Sequence, residues 1–152
     1  MIVAFVGHAR VSWCERVKDA VKKQIVDIIT SECRLSCYVG NHGDFDEICA
    51  CACRDLKKQG LDIELVFVTP YISESQQHRI KEMMDSGLYD ATVYPPIESV
   101  SPRFAISKRN EWMMTNADVV IAYVNRTYGG AYKALCTAKR HSKKIINISH
   151  LY

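Results

Sequence analysis

Short apolar runs alternate with longer amphipathic stretches along the chain, and that order predicts most of the architecture. Ile2–Val6 is continuously apolar, the pattern of a strand buried on both faces. From Val11 to Ile29 the residues Trp13, Val17, Ala20, Val21, Ile25 and Ile28 recur at helical spacing, with Ser12 placed to cap that helix. Leu35–Val39 predicts a second strand, and Gly40-Asn41-His42-Gly43 a turn. The next helix carries the stripe Phe45, Ile48, Cys49, Ala52, Cys53 and Leu56 and closes near Gly60. Ile63–Val68 is a third strand, ended by Thr69-Pro70, and Ser73 caps a polar helix that stops at Gly87. Ala91–Tyr94 reads as a short strand, the segment from Pro95 to Pro102 as irregular, Arg103–Asn116 as helix and Asp118–Val124 as strand. Gly129-Gly130 leads into a helix through Arg140, and Lys144–Ile148 is the last strand.

Such alternation implies parallel strands joined by right-handed crossovers. The expected fold is α/β and Rossmann-like: a doubly wound, mostly parallel sheet with helices on both faces, formed as one domain by residues 1–152. Sheets of this kind bind ligands outside the carboxyl ends of their strands, where turns enter helices. The residues after each strand are therefore the candidates for chemistry.

Composition closes off several functions. The 152 residues are 48% apolar and 24% charged, the balance of an ordinary globular chain. Lys and Arg number 20 against 17 Asp and Glu, a net charge of +3, and no basic run is long. That argues against a nucleic-acid partner and leaves a local anion site open. No apolar stretch approaches the roughly 20 residues of a membrane helix, so no membrane partner is expected. The opening apolar run breaks at Gly7-His8-Ala9-Arg10, unlike a signal peptide. The seven cysteines, an odd number without a leader, read as reduced thiols of a cytoplasmic protein. Cys49, Cys51 and Cys53 resemble a metal box, but helix positions two apart point about 200° from each other. They read as core-packing thiols, Cys33 and Cys37 likewise, and neither a metal nor another cofactor is expected.

Three strand ends are rich in glycine and polar side chains: Gly7-His8-Ala9-Arg10, Gly40 to Asp46, and Asn125-Arg126-Thr127-Tyr128-Gly129-Gly130-Ala131. Glycine lets backbone approach a ligand closely, and helix N-termini offer unpaired N–H groups to phosphate. Neither the three-glycine dinucleotide fingerprint nor a P-loop lysine motif is present. Three such loops on one sheet edge nonetheless point to a phosphorylated ligand.

Gly7-His8, Gly40 with Gly43-Asp44-Phe45-Asp46, Pro70-Tyr71, Arg109-Asn110-x-Trp112-Met113, Ala117-Asp118 and Tyr128-Gly129-Gly130-Ala131 together resemble the SLOG superfamily. Within it they are most similar to the short prophage and firmicute proteins of the YpsA/YoqJ-like group. The superfamily includes the Lonely Guy phosphoribohydrolases, the DNA-processing protein DprA and sensor domains for nucleotide-derived signals. The resemblance implies a Rossmann-like fold, a pocket for a nucleotide-derived ligand and a homodimer or higher homo-oligomer. Arg109 and Met113 match the arginine and methionine that the Lonely Guy enzymes carry four residues apart, whereas Asn110 stands at their lysine. Ala131 and Ala134 stand where those enzymes have threonine and the glutamate that serves glycosidic cleavage. Alanine can neither transfer a proton nor stabilise an oxocarbenium centre, which argues against that chemistry. Asp44, Asp46 and Glu111 are the nearest substitute acids by motif.

The leading expectation is thus binding of a nucleotide or nucleotide-derived ligand, as in a sensor. The alternatives are a nucleoside-monophosphate N-glycosidase and a DprA-like module interacting with nucleic acid or protein. In the leading reading Gly7, Gly40, Gly43, Gly129 and Gly130 give close approach, with Ala131 beside them. Arg109, on the face of Met113, holds phosphate with its guanidinium fork, and Tyr128 stacks on a base. His8 is a donor, Arg10 an added cation, and Asp46 a ribose acceptor. Asp44 and Asp46 also suit a helix start, where a cap and the helix dipole account for them.

Overall fold

The computed structural model describes residues 1–29 and 34–151. Its elements, in chain order, are β1 (Ile2–Gly7), α1 (Cys14–Ile28), β2 (Leu35–Val39), α2 (Asp44–Lys58), β3 (Ile63–Val68), α3 (Glu74–Asp85), β4 (Ala91–Val93), α4 (Ala105–Asn116), β5 (Val119–Tyr123), α5 (Gly130–Arg140) and β6 (Lys144–Asn147). Short 3-10 turns at Pro102–Phe104 and Ile148–Leu151 precede α4 and follow β6.

The six strands form one sheet in the order β4-β3-β2-β1-β5-β6, and every pairing is parallel. The chain builds outward from β1 to β4, then returns to the other side of β1 for β5. Strand order therefore reverses between β1 and β5, and the crevice outside their carboxyl ends is where such sheets bind ligands.

The period of two along β1 divides the core. Val3 and Phe5 face the cluster built with α1 and α2, whereas Ala4 and Val6 face the cluster built with α4 and α5. Val3 and Ala4 are wholly buried, which is why this strand reads as unbroken apolar sequence. Cys37, Cys49 and Cys53 are buried in the first cluster, while Cys51 turns outward and donates to Glu47 Oε1 at 3.4 Å. Cys33 lies outside the described residues. No described helix is long and apolar enough to cross a membrane.

Two helix starts differ from the sequence expectation. Ser73 caps α3 as predicted, its Oγ accepting from the Gln76 N–H at 3.4 Å. Ser12 does not cap α1, whose N-cap is Trp13 with a left-handed φ of 60° and no side-chain cap. The reason lies one residue back, where the Val11 N–H donates to Asp44 Oδ2 at 2.9 Å and draws this loop toward α2. The helix expected over Arg103–Asn116 opens instead as the Pro102–Phe104 turn, with Pro102 at its start.

Candidate functional site

A cavity of about 200 Å³ lies outside the carboxyl ends of β1 and β5. Of the residues singled out from the sequence, Gly7, His8, Gly40, Asp46, Arg109, Met113, Gly129, Gly130 and Ala131 line it. Arg10, Gly43, Asp44 and Tyr128 do not. Ala9, His42 and Arg126, from the three expected loops, line it too, as does Asn110 beside Arg109, while Phe5, Val6 and Ile106 were not among the candidates. A second cavity of about 170 Å³ shares Gly40, His42, Ile106 and Arg109 with the first and reaches Pro70, Tyr71 and Arg79 beyond β3. The two form a groove along the carboxyl edge of the sheet.

Several residues expected to touch a ligand hold the walls of this edge. A Cβ on Gly7 would lie 2.3 Å from the Phe45 ring, so this glycine makes room for a core side chain. A Cβ on Gly40 would lie 2.8 Å from the Arg109 guanidinium, which packs flat on that backbone. At Gly43 the near neighbour is Ala9 Cα at 2.6 Å, where the first two strand-end loops touch. Asp44 and Asp46 do not cap α2, whose N-cap is Gly43. Their carboxylates reach back to loop N–H groups, Asp44 to Val11 at 2.9 Å and Asp46 to His42 at 2.8 Å.

Arg109 reaches the cavity from α4. It is 1% exposed, and its fork is turned onto backbone carbonyls. Its Nη1 donates to the carbonyls of Gly40 and Val68, each at 2.8 Å, and Nε donates to Asn110 Oδ1 at 2.8 Å. It thereby ties the ends of β2 and β3 to α4. Burial lowers its pKa from the ordinary value, opposed by the nearby Asp46 and Tyr71. Asp46 in turn has its pKa pushed up to about 6 by burial, against the pull of the His42 N–H and Arg109.

His8 is 6% exposed, and its Nε2 accepts from the Asn125 N–H at 3.0 Å, joining the loops after β1 and β5. Burial and the adjacent Arg126 lower its pKa, so the ring is a neutral acceptor here. Ala134 is 4% exposed and packs in the core cluster under α5. Trp112 stacks on Tyr38 with ring centroids 5.9 Å apart.

The α5 N-terminus is different from these packed walls. Its N-cap is Gly129 (φ 91°), no side chain caps it, and its first turn carries no acid. The Lys133 N–H returns to the Gly129 carbonyl at 3.1 Å, so the preceding helical N–H groups have no intrahelical acceptor. A Cβ on Gly129 or Gly130 would meet nothing within 4 Å. The turn is thus an open cradle of backbone donors, with Arg126 on the same cavity wall.

No family model matches the sequence, and no curated protein is significantly similar to it. Solved structures do match. One describes the single-stranded DNA binding mode of DNA processing protein A from Helicobacter pylori; it has a TM-score of 0.57 at 17% identity over 95% of this chain. DprA from Streptococcus pneumoniae gives a TM-score of 0.63 at 15% identity over 94% of this chain. The likeness is one of fold. The chain spans 63% and 48% of those two proteins, respectively.

One expectation is overturned by this comparison. The charge of +3 argued against nucleic acid, yet the H. pylori protein, which shares this fold over 63% of its length, binds single-stranded DNA. Net charge averages over the whole surface, whereas binding reads the local field. In this chain acids such as Asp55 and Asp90 are paired with lysines away from the cavity, while Arg126 and the α5 N-terminus face it.

Proposed function

We propose that the carboxyl edge of the sheet binds single-stranded DNA, with a backbone phosphate seated on the α5 N-terminus. The observation that carries this reading is the open, uncapped Gly129–Ala131 turn, with Arg126 beside it and no acid in the first turn. Partial positive charge at a helix N-terminus and free N–H donors together suit a phosphate. Arg109 supports the site from behind by fixing the ends of β2 and β3. The likeness to the two DprA structures favours a polynucleotide over the free nucleotide-derived signal expected from the sequence. The groove beyond Arg109 agrees, because it crosses the ends of β5, β1, β2 and β3, a span of about 14 Å at the usual strand spacing.

Gly130→Asp tests the reading. Gly130 has ordinary φ and open space at its Cβ, so an aspartate fits there, and an acid in the first turn favours the helix. Its carboxylate would occupy the cradle and repel a phosphate. Fluorescence anisotropy with a labelled oligo-dT should show at least ten-fold weaker binding while the melting temperature holds or rises. Unchanged affinity would remove the α5 N-terminus from the site.

A further inference from the structure

Four large aromatic side chains are exposed among the described residues: Trp13 (70%), Tyr71 (37%), Phe104 (50%) and Tyr128 (66%). All four lie in segments at the carboxyl edge. Trp13 follows β1, Tyr71 follows β3, Phe104 precedes α4, and Tyr128 stands one residue before the Gly129 turn. Tyr71 itself lines the groove, and Phe104 and Tyr128 are within two residues of lining residues Ile106 and Gly129. Exposed apolar groups scattered singly are ordinary, but the gathering of all four large exposed aromatics of the described residues on one edge calls for a cause.

Three of these rings carry an arginine. The guanidinium carbon of Arg16 lies 5.7 Å from the Trp13 centroid, that of Arg103 4.8 Å from Phe104, and that of Arg126 5.1 Å from Tyr128. Trp13 also holds a left-handed φ of 60°, which a bulky residue adopts only under strain. With the ring 70% exposed, the fold recovers little of that strain by burying it.

We infer that Trp13, Phe104 and Tyr128 form a stacking rim for unpaired bases, which makes the edge selective for single strands. This rests on the reading that the edge binds a DNA backbone. The chemistry is that of sequence-tolerant single-strand recognition: cationic groups follow the phosphates while flat rings, with arginines beside them, take the bases. Charge complementarity selects this occupant over a hydrophobic partner, because each of the three rings is paired with a cation. A duplex keeps its bases stacked inside and presents no free face to the rings.

The test compares oligo-dT with an abasic phosphodiester oligomer of equal length, by anisotropy against the wild type and three variants: Trp13→Gly, Phe104→Ala and Tyr128→Ala. These side chains are exposed, and glycine at position 13 relieves the left-handed strain, so folding is retained or improved. The wild type should prefer oligo-dT over the abasic oligomer by ten-fold or more. Each ring removed should cost about five-fold or more with oligo-dT and nothing with the abasic oligomer. Equal wild-type affinity for the two oligomers would overturn the stacking rim and leave phosphate binding standing. Failure to bind either oligomer would overturn the underlying reading instead. Variants that change the oligomeric state and leave oligo-dT binding intact would also overturn it, assigning the rim to contacts between copies of the chain.

Discussion

Asp46 and Arg109 show how a single position can look like ligand chemistry in sequence and serve the wall of a site in three dimensions. Both line the cavity, yet Asp46 holds the His42 N–H and Arg109 holds the carbonyls of Gly40 and Val68. Arg109→Ala would leave two buried carbonyls unpaired and is expected to cost roughly 3 kcal/mol of stability, read from denaturant unfolding. An unaltered unfolding midpoint would show that the clamp is dispensable. Asp46 contributes in the opposite sense. Its folded pKa of about 6 lies above the usual carboxylate value, so the folded state binds this proton more tightly than the unfolded state. The contribution of Asp46 to stability therefore falls as pH rises from about 4 to about 6 and stays low above that. Asp46→Asn keeps an acceptor for His42 and removes the charge. It should raise the melting temperature at pH 7.5, by up to about 3 kcal/mol in free energy, and match the wild type near pH 4. A variant equally destabilised at both pH values would contradict the raised pKa.

At the scale of elements, the sequence is legible where burial alone sets the pattern. β1 sits between β2 and β5 with helices on both faces, so Ile2–Val6 is uniformly apolar and was readable as a strand. The α2 stripe was readable because Phe45, Ile48, Cys49, Ala52, Cys53 and Leu56 face one cluster. Helix starts were less legible, since they depend on partners distant in sequence. Trp13 rather than Ser12 stands at the start of α1, in a loop whose Val11 N–H is held by Asp44, 33 residues beyond Val11. The loops rich in glycine were found, but not what each glycine does. Gly7 yields to the Phe45 ring and Gly40 to Arg109, and of the three strand-end loops only the Gly129-Gly130 turn opens to space. Gly7→Ala is accordingly expected to destabilise the fold by about 1–3 kcal/mol through overpacking against Phe45, whereas Gly130→Ala should leave stability nearly unchanged. Equal effects in thermal unfolding would contradict this division of the glycines.

Across the whole molecule, the order of the strands pointed to the carboxyl edge, where the cavity lies, while net charge misled about which partners this fold admits. A sum of +3 says nothing of where Arg126, Arg103 and Arg16 lie, and only the fold brings them to one edge with Trp13, Phe104 and Tyr128. Sequence distance hid that gathering, because the rings come from residues 13, 104 and 128 with no shared motif. The direct test of the account is the affinity of the purified wild-type chain for oligo-dT across a salt series. Two or more phosphates held on the groove predict a log–log slope of about −1.4 or steeper. Absence of binding at low salt, or an affinity indifferent to salt, would contradict it.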